Sequence, residues 1–179
     1  ELIPIRPAKQ NRIFPPFGYA HIRGVSVKKG GSRLNSIEAE SISQWLKTHK
    51  ETIEGHYGKS IEDVVGIVTP FVAQARAQRT SLREHEIDTD SMTVGTVHAL
   101  QGAEREIVIF SPCYDYRDRG GHLFFDSGLN MLNVAVSRAK DSFFVFGEMS
   151  LFDPTSKTPS GLLAHYLFKS ETNVIADVP

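Results

Sequence analysis

At 179 residues, with 40% hydrophobic and 23% charged side chains, the chain has the composition of one folded domain and is not a disordered, collagen-like or fibrous protein. Twenty Lys and Arg against 21 Asp and Glu leave a formal charge of -1, so no global positive field draws in nucleic acid or anionic membrane, and any such binding needs a local patch. One cysteine, Cys113, excludes an internal disulfide and a zinc site built from cysteines alone. No apolar run approaches the ~20 residues that span a bilayer, and Glu1 to Pro4 has no signal-peptide character; the expectation is a chain that is cytoplasmic, or nuclear in a eukaryote, without a membrane partner.

Residues 1–18 form an arm in which Pro4, Pro7, Pro15 and Pro16 remove backbone donors, so no regular element is expected there. Tyr19 to Val27 has the β-branched and aromatic content of a strand, closed by the turn Lys28-Lys29-Gly30-Gly31. Next, Asn35 is placed to accept from the first amides of a helix, and Glu38 to reach back to the Asn35 amide. Ile37, Ile42 and Leu46 supply its apolar stripe, predicting a helix from Ser36 to His49 with Trp45 in packing. Asp63 to Val68 is mostly apolar, as in a strand covered on both faces, and Pro70 ends it. A helix from Val72 to His85, a strand from Met92 to Val97, a loop through Gln101-Gly102 and a strand from Ile107 to Phe110 follow. Ser111 to Ser127 is expected to be irregular. A helix from Met131 to Arg138, a strand from Phe143 to Phe146 and a helix from Leu162 to Lys169 complete the order. The alternation predicts an α/β domain over 19–170, with a mainly parallel sheet covered on both faces and a tail at 171–179; ligands in such folds sit outside the carboxyl ends of the strands.

The segment Gly95 to Glu106 is expected to leave a strand at that carboxyl edge. Thr96 and His98 offer side-chain hydrogen bonds, Gln101 an amide, Gly102 a close backbone approach and Glu104 a carboxylate for a hydroxyl; an ordinary turn using Gly102 for positive φ accounts for the same residues. Arg138, near the end of its helix, is either a cation favoured by the helix dipole or a planar guanidinium aimed at phosphate. Arg76, Arg79 and Arg83 share one helical stripe, a solvated face or a phosphate track. Cys113, with no paired base in the sequence, reads as a buried structural thiol.

Four blocks occur in order: Asn35, Glu38 and Ala39; Thr69, Pro70, Phe71 and Gln74; Gln101, Gly102 and Glu104; and Leu132 to Ala139. In that order they resemble the second RecA-like domain of superfamily 1 helicases, the group that includes the nonsense-mediated-decay RNA helicase, over about Tyr19 to Phe168. Two positions depart from it: Phe71 stands where tyrosine is usual and His98 where aspartate is common. The resemblance implies a three-layer RecA-like P-loop NTPase fold, yet these residues contain no G-x-x-x-x-G-K-[ST] and no acidic pair for magnesium. ATP with Mg2+ is therefore expected in a cleft shared with an N-terminal RecA-like domain of the same polypeptide. By the same resemblance Arg138 is the catalytic arginine finger, Gln101, Gly102 and Glu104 bind nucleotide, and Thr69, Pro70, Thr96 and His98 contact single-stranded DNA or RNA. Such a chain is an ATP-dependent helicase only with its first domain and is inactive alone. The alternative is a RecA-like module that binds nucleic acid or protein without a motor, in which Arg138 and Glu104 have no common task.

Overall fold

The computed structural model describes residues 11–127 and 131–179. Five strands make one parallel sheet: β1 (Phe17–His21), β4 (Val65–Val68), β5 (Thr93–Gly95), β6 (Arg105–Phe110) and β7 (Ala139–Gly147), in the spatial order β1-β7-β6-β4-β5. Residues of one strand alternate between two cores, because successive side chains of a strand point to opposite faces. Ile107, Ile109, Phe144 and Phe146 pack with Ile42, Trp45, Leu46 and Ile53 of α1 (Ser36–Tyr57) and Leu82 of α3 (Val72–Glu84). Val108, Phe110, Phe143 and Val145 pack beneath α4 (Phe124–Ser127), α5 (Met131–Ser137) and α6 (Pro159–Leu167), through Phe125, Leu132, Ala135 and Leu163. Helix layer, sheet and helix layer are the three layers expected, and Trp45 and Cys113 are buried as expected.

The expected first strand divides. β1 begins at Phe17 and ends at His21, and Val27–Lys29 (β2) pairs antiparallel with Ser32–Leu34 (β3) in a hairpin of its own. Gly30 and Gly31, with φ of 53° and 77°, supply the left-handed turn that a two-residue hairpin loop requires. The expected irregular stretch contains a short turn of 3-10 helix at Tyr116–Asp118 and α4.

The first helix runs two turns past His49, to Tyr57, where Gly58 at φ 64° donates its N–H to the Glu54 carbonyl at 2.8 Å. Asn35 caps it as expected, accepting from the Glu38 amide. Glu38 does not complete the reciprocal bond: its position faces the sheet beside Ala39 and Ile42, so its carboxyl turns inward, and the Asn35 amide donates to Gln74 Oε1 at 2.7 Å instead. A short helix, α2 (Ile61–Val64), leads into β4.

The described part of the arm is docked. Ile13 and Phe14 pack on the core, and Arg12 pairs with buried Asp141 at 3.1 Å. Beyond residue 170 the chain folds back: the Ile175 amide donates to the Tyr19 carbonyl at 2.8 Å, and Trp45 Nε1 to the Ala176 carbonyl at 3.1 Å.

Candidate nucleotide and nucleic-acid edges

The sequence-predicted residues divide between the two ends of the sheet. Thr69-Pro70 and Thr96 follow the carboxyl ends of β4 and β5, and the Thr69 amide donates to the Gly95 carbonyl at 3.0 Å. Thr69 is 1% exposed, and its hydroxyl accepts from the Phe71 amide, so Thr69 and the buried Pro70 shape a turn and show solvent little of themselves. Thr96 is half-buried and precedes a 3-10 turn, Val97–Leu100, without a side-chain capping bond; His98 is exposed on that turn. Gly95 permits the turn, since a Cβ there would lie 2.6 Å from Ala99 Cβ.

That turn carries the chain from one end of the sheet to the other. Gln101, Gly102 and Glu104 therefore lie at the amino end of β6, not at the carboxyl edge expected for this segment; β6 itself separates the two ends by about 16 Å. Gln101, Gly102 and Glu104 are exposed, Gly102 has φ 75° with open space where a Cβ would stand, and Glu104 Oε2 is 4.0 Å from Lys140 Nζ. Arg138 follows α5, which ends one residue earlier than expected, and directly precedes β7. Its carbonyl accepts from the Arg105 amide at 3.0 Å, which ties it to the Glu104 loop. Arg105 extends the tie: its guanidinium donates to the Glu104 carbonyl at 3.0 Å and to Thr93 Oγ1 at 2.8 Å, and its Cγ passes over Gly66, where a Cβ would be 3.2 Å away.

Arg138 Nε is buried and has no hydrogen-bond partner among the described residues. A buried donor without an acceptor is disfavoured by about 1–3 kcal/mol, a penalty that a bound anion removes. This donor, a carboxylate, an amide and an open glycine suit the phosphates and sugar of a nucleotide. Among the described residues no three His, Cys, Asp or Glu side chains are grouped to hold a metal.

Beneath the carboxyl edge lies a polar network that sequence reasoning missed. Glu38, fully buried, accepts from Ser111 Oγ and from the Cys113 amide at 2.8 Å; burial pushes its carboxyl up to about 8. Gln74 donates to the Asn35 carbonyl at 3.0 Å and to Ser111 Oγ at 3.1 Å, while Gln78 donates to the Ala39 carbonyl at 3.1 Å and to Ser43 Oγ at 2.9 Å. Asn35, Glu38 and Gln74, all in the motif blocks, thus bind one another and lash α1 and α3 to the end of β6. The one available signal was polar residues on otherwise apolar helix faces. The arginine stripe also divides: Arg76 and Arg83 are exposed, but Arg79 donates to the carbonyls of Thr89 and Val94, at 2.8 and 2.6 Å, and is neither a free solvated face nor a phosphate track.

A parallel sheet in this strand order between two helix layers defines a RecA-like α/β domain. It shares its fold with a solved structure, the C-terminal domain of a possible DNA helicase from Lactobacillus plantarum WCFS1, with a TM-score of 0.52 over 90% of this chain and 84% of that one at 12% identity. The chain belongs to the AAA domain family AAA_12, whose model matches residues 8–150. Similar proteins include an uncharacterized ATP-dependent helicase of Methanocaldococcus jannaschii, 35% identical over 138 residues, which are 76% of this chain and 18% of the relative. The DNA polymerase alpha-associated DNA helicase A of Schizosaccharomyces pombe is 29% identical over 150 residues, 82% of this chain and 20% of the relative. The superfamily 1 helicase resemblance carried by the four blocks is borne out, and the chain spans a fifth or less of the length of these two relatives.

Proposed function

We propose that this chain is the second motor domain of an ATP-dependent nucleic-acid helicase, closing an ATP site shared with an N-terminal RecA-like domain and gripping single-stranded DNA or RNA at its carboxyl edge. The observation that carries the reading is the joining of Glu104 and Arg138 at one edge through Arg105, with Arg138 Nε enclosed and lacking an acceptor. ATP with Mg2+ supplies the phosphoryl group whose transfer powers such motors, and the metal would be held mainly by carboxylates of the first domain. In this reading Arg138 presents its guanidinium to charge that develops on the phosphate oxygens, a contribution of roughly 10³ to 10⁵ in rate for such fingers. Glu104 accepts from a sugar hydroxyl, the Gln101 amide orients the nucleotide, and Gly102 lets the backbone come close. Thr96 and His98 meet the strand backbone, over a turn that Thr69 and Pro70 shape.

The test is steady-state ATPase kinetics of the full-length protein with a saturating single strand. Arg138→Ala is expected to lower kcat by about 10³ or more with little change in KM, because the interaction strengthens in the transition state, and Arg138→Lys to restore part of the loss. Glu104→Gln is expected to raise KM more than it lowers kcat. Turnover of Arg138→Ala within about twofold of the parent, a barrier change below ~0.5 kcal/mol, overturns the assignment.

A further inference from the structure

Residues 2 to 37 contain seven Lys and Arg and no Asp or Glu, in a chain whose formal charge is -1. Three of them, Lys28, Lys29 and Arg33, lie together in the β2–β3 hairpin, a local basic group in a chain without an overall positive field. The hairpin is fastened at the carboxyl edge from two sides. Ser32 Oγ accepts from the Ala73 amide at 3.1 Å, just after the Thr69-Pro70 turn. The Ser26 amide donates to Asp115 Oδ2 at 2.6 Å, and Arg117 donates to the Ser26 carbonyl at 2.8 Å, which joins the hairpin to the turn beyond β6. Between hairpin and turn lies a groove of about 480 Å³ lined by Val25, Val27, Lys28, Arg33, Arg117 and Asp118, among others.

Two of its cations are already positioned. Arg33 lies 4.5 Å over the Tyr114 ring and 3.2 Å from Asp118, and Arg117 is held by buried Asp115. Lys28 on the wall and Lys29 beside it are exposed and have no acidic partner among the described residues. Tyr116, 61% exposed next to Arg117, offers a ring on which a base can stack. Through Tyr114, whose ring is 5.4 Å from that of Phe71, the groove adjoins the Thr69-Pro70 turn.

We propose that this groove is a second grip on the single strand, in which Lys28, Lys29 and the Arg33 and Arg117 guanidinium groups track the phosphodiester backbone without reading sequence. It rests on the strand-binding reading above and extends the track beyond Thr96. An acidic protein segment is the competing occupant, and it lacks the bases that Tyr116 would stack.

The test is fluorescence anisotropy of the 179-residue chain with labelled dT20 and U20 over a salt series. The double variant Lys28→Glu/Lys29→Glu, on exposed positions that leave the fold intact, is expected to weaken binding to one or both oligonucleotides about tenfold or more. It should also flatten the slope of log K against log salt, by ~0.7 for each phosphate that the variant no longer neutralises. The dT20 and U20 arms report which sugar the groove accepts. Lys169→Glu, an exposed cation past the end of α6, should bind as the parent does, and Tyr116→Ala should lose affinity without a change in slope. If the double variant matches the parent in affinity and slope while Thr96→Val binds more weakly, the groove proposal fails and the strand-binding reading stands. If the parent binds neither oligonucleotide, both fail. Displacement of dT20 by poly-glutamate as effectively as by unlabelled dT20 assigns the groove to acidic protein and overturns the proposal.

Discussion

At the carboxyl end of the sheet Asn35, Glu38, Gln74 and Ser111, from three separate stretches of chain, bond to one another out of water and leave only Glu38 Oε2 of their side-chain atoms buried without a partner. At the amino end Gln101 and Glu104 stand in solvent, and Arg138 encloses a nitrogen that nothing among the described residues accepts from. The first arrangement uses its hydrogen bonds to fix helices against strands; the second is exposed and holds the Arg138 nitrogen without an acceptor. Residues that resemble a motor family therefore serve two purposes, and only those at the exposed amino end suit direct chemistry on a ligand.

The sharpest way to break this contrast is Gln74→Leu, which leaves the Asn35 amide, the Asn35 carbonyl and Ser111 short of partners in the interior. A loss of about 3–5 kcal/mol in urea unfolding is expected, against little change in nucleotide affinity of the full-length protein. A loss below ~1 kcal/mol would mean the network is dispensable.

Glu38 gives the carboxyl end a pH signature. The unfolded chain releases this proton near 4.5, whereas the folded chain keeps it to about 8, so stability falls as pH rises between those values, by at most ~1.4 kcal/mol per unit. Glu38→Gln keeps an oxygen acceptor and abolishes the titration. Its melting temperature is expected to exceed that of the parent above pH 8 and to vary less between pH 5 and 9. Parallel curves for the two proteins would place the titration elsewhere.

At the amino end, Arg105→Met retains the stem over Gly66 but cuts the bonds to Glu104 and Thr93. Unfolding should change by only about 1–2 kcal/mol, while binding of a fluorescent ATP analogue to the full-length protein weakens several-fold. Unchanged affinity would mean that the Arg105 side chain does not hold the Glu104 loop for nucleotide; its backbone bond to the Arg138 carbonyl survives the substitution. The smallest effect is expected for Thr96→Val, at under about 1 kcal/mol in single-strand affinity and nothing in stability, since the hydroxyl caps no helix.

Most of the layered fold was legible because its strands are apolar runs and its helices carry stripes. What escaped is instructive. The last two turns of α1 contribute Ile53 as their one buried side chain, too little for a periodic signal. β2 and β3 alternate no buried and exposed residues, so their pairing rests on the glycine turn. For the site, the motifs identified residues but not which end of the sheet they occupy, because a four-residue 3-10 turn makes the crossing usually left to a helix. Glu38 was misread because the local rule that sends an acid back to cap a helix lost to burial of that helix face.

The strand order also sets a timetable for biosynthesis. β1 leaves the ribosome long before its partner in the sheet, β7, and before Val174, which bridges its far edge. Trp45 likewise waits for the carbonyl of Ala176. Until those late residues emerge, β1 has neither of its neighbours and α1 lacks Phe144, Phe146 and the Ala176 carbonyl against Trp45, and closing such distant contacts is slow. A nascent chain stalled before β7 should accordingly be a client for chaperones, whereas one released beyond Ala176 can complete its sheet in a single cooperative step.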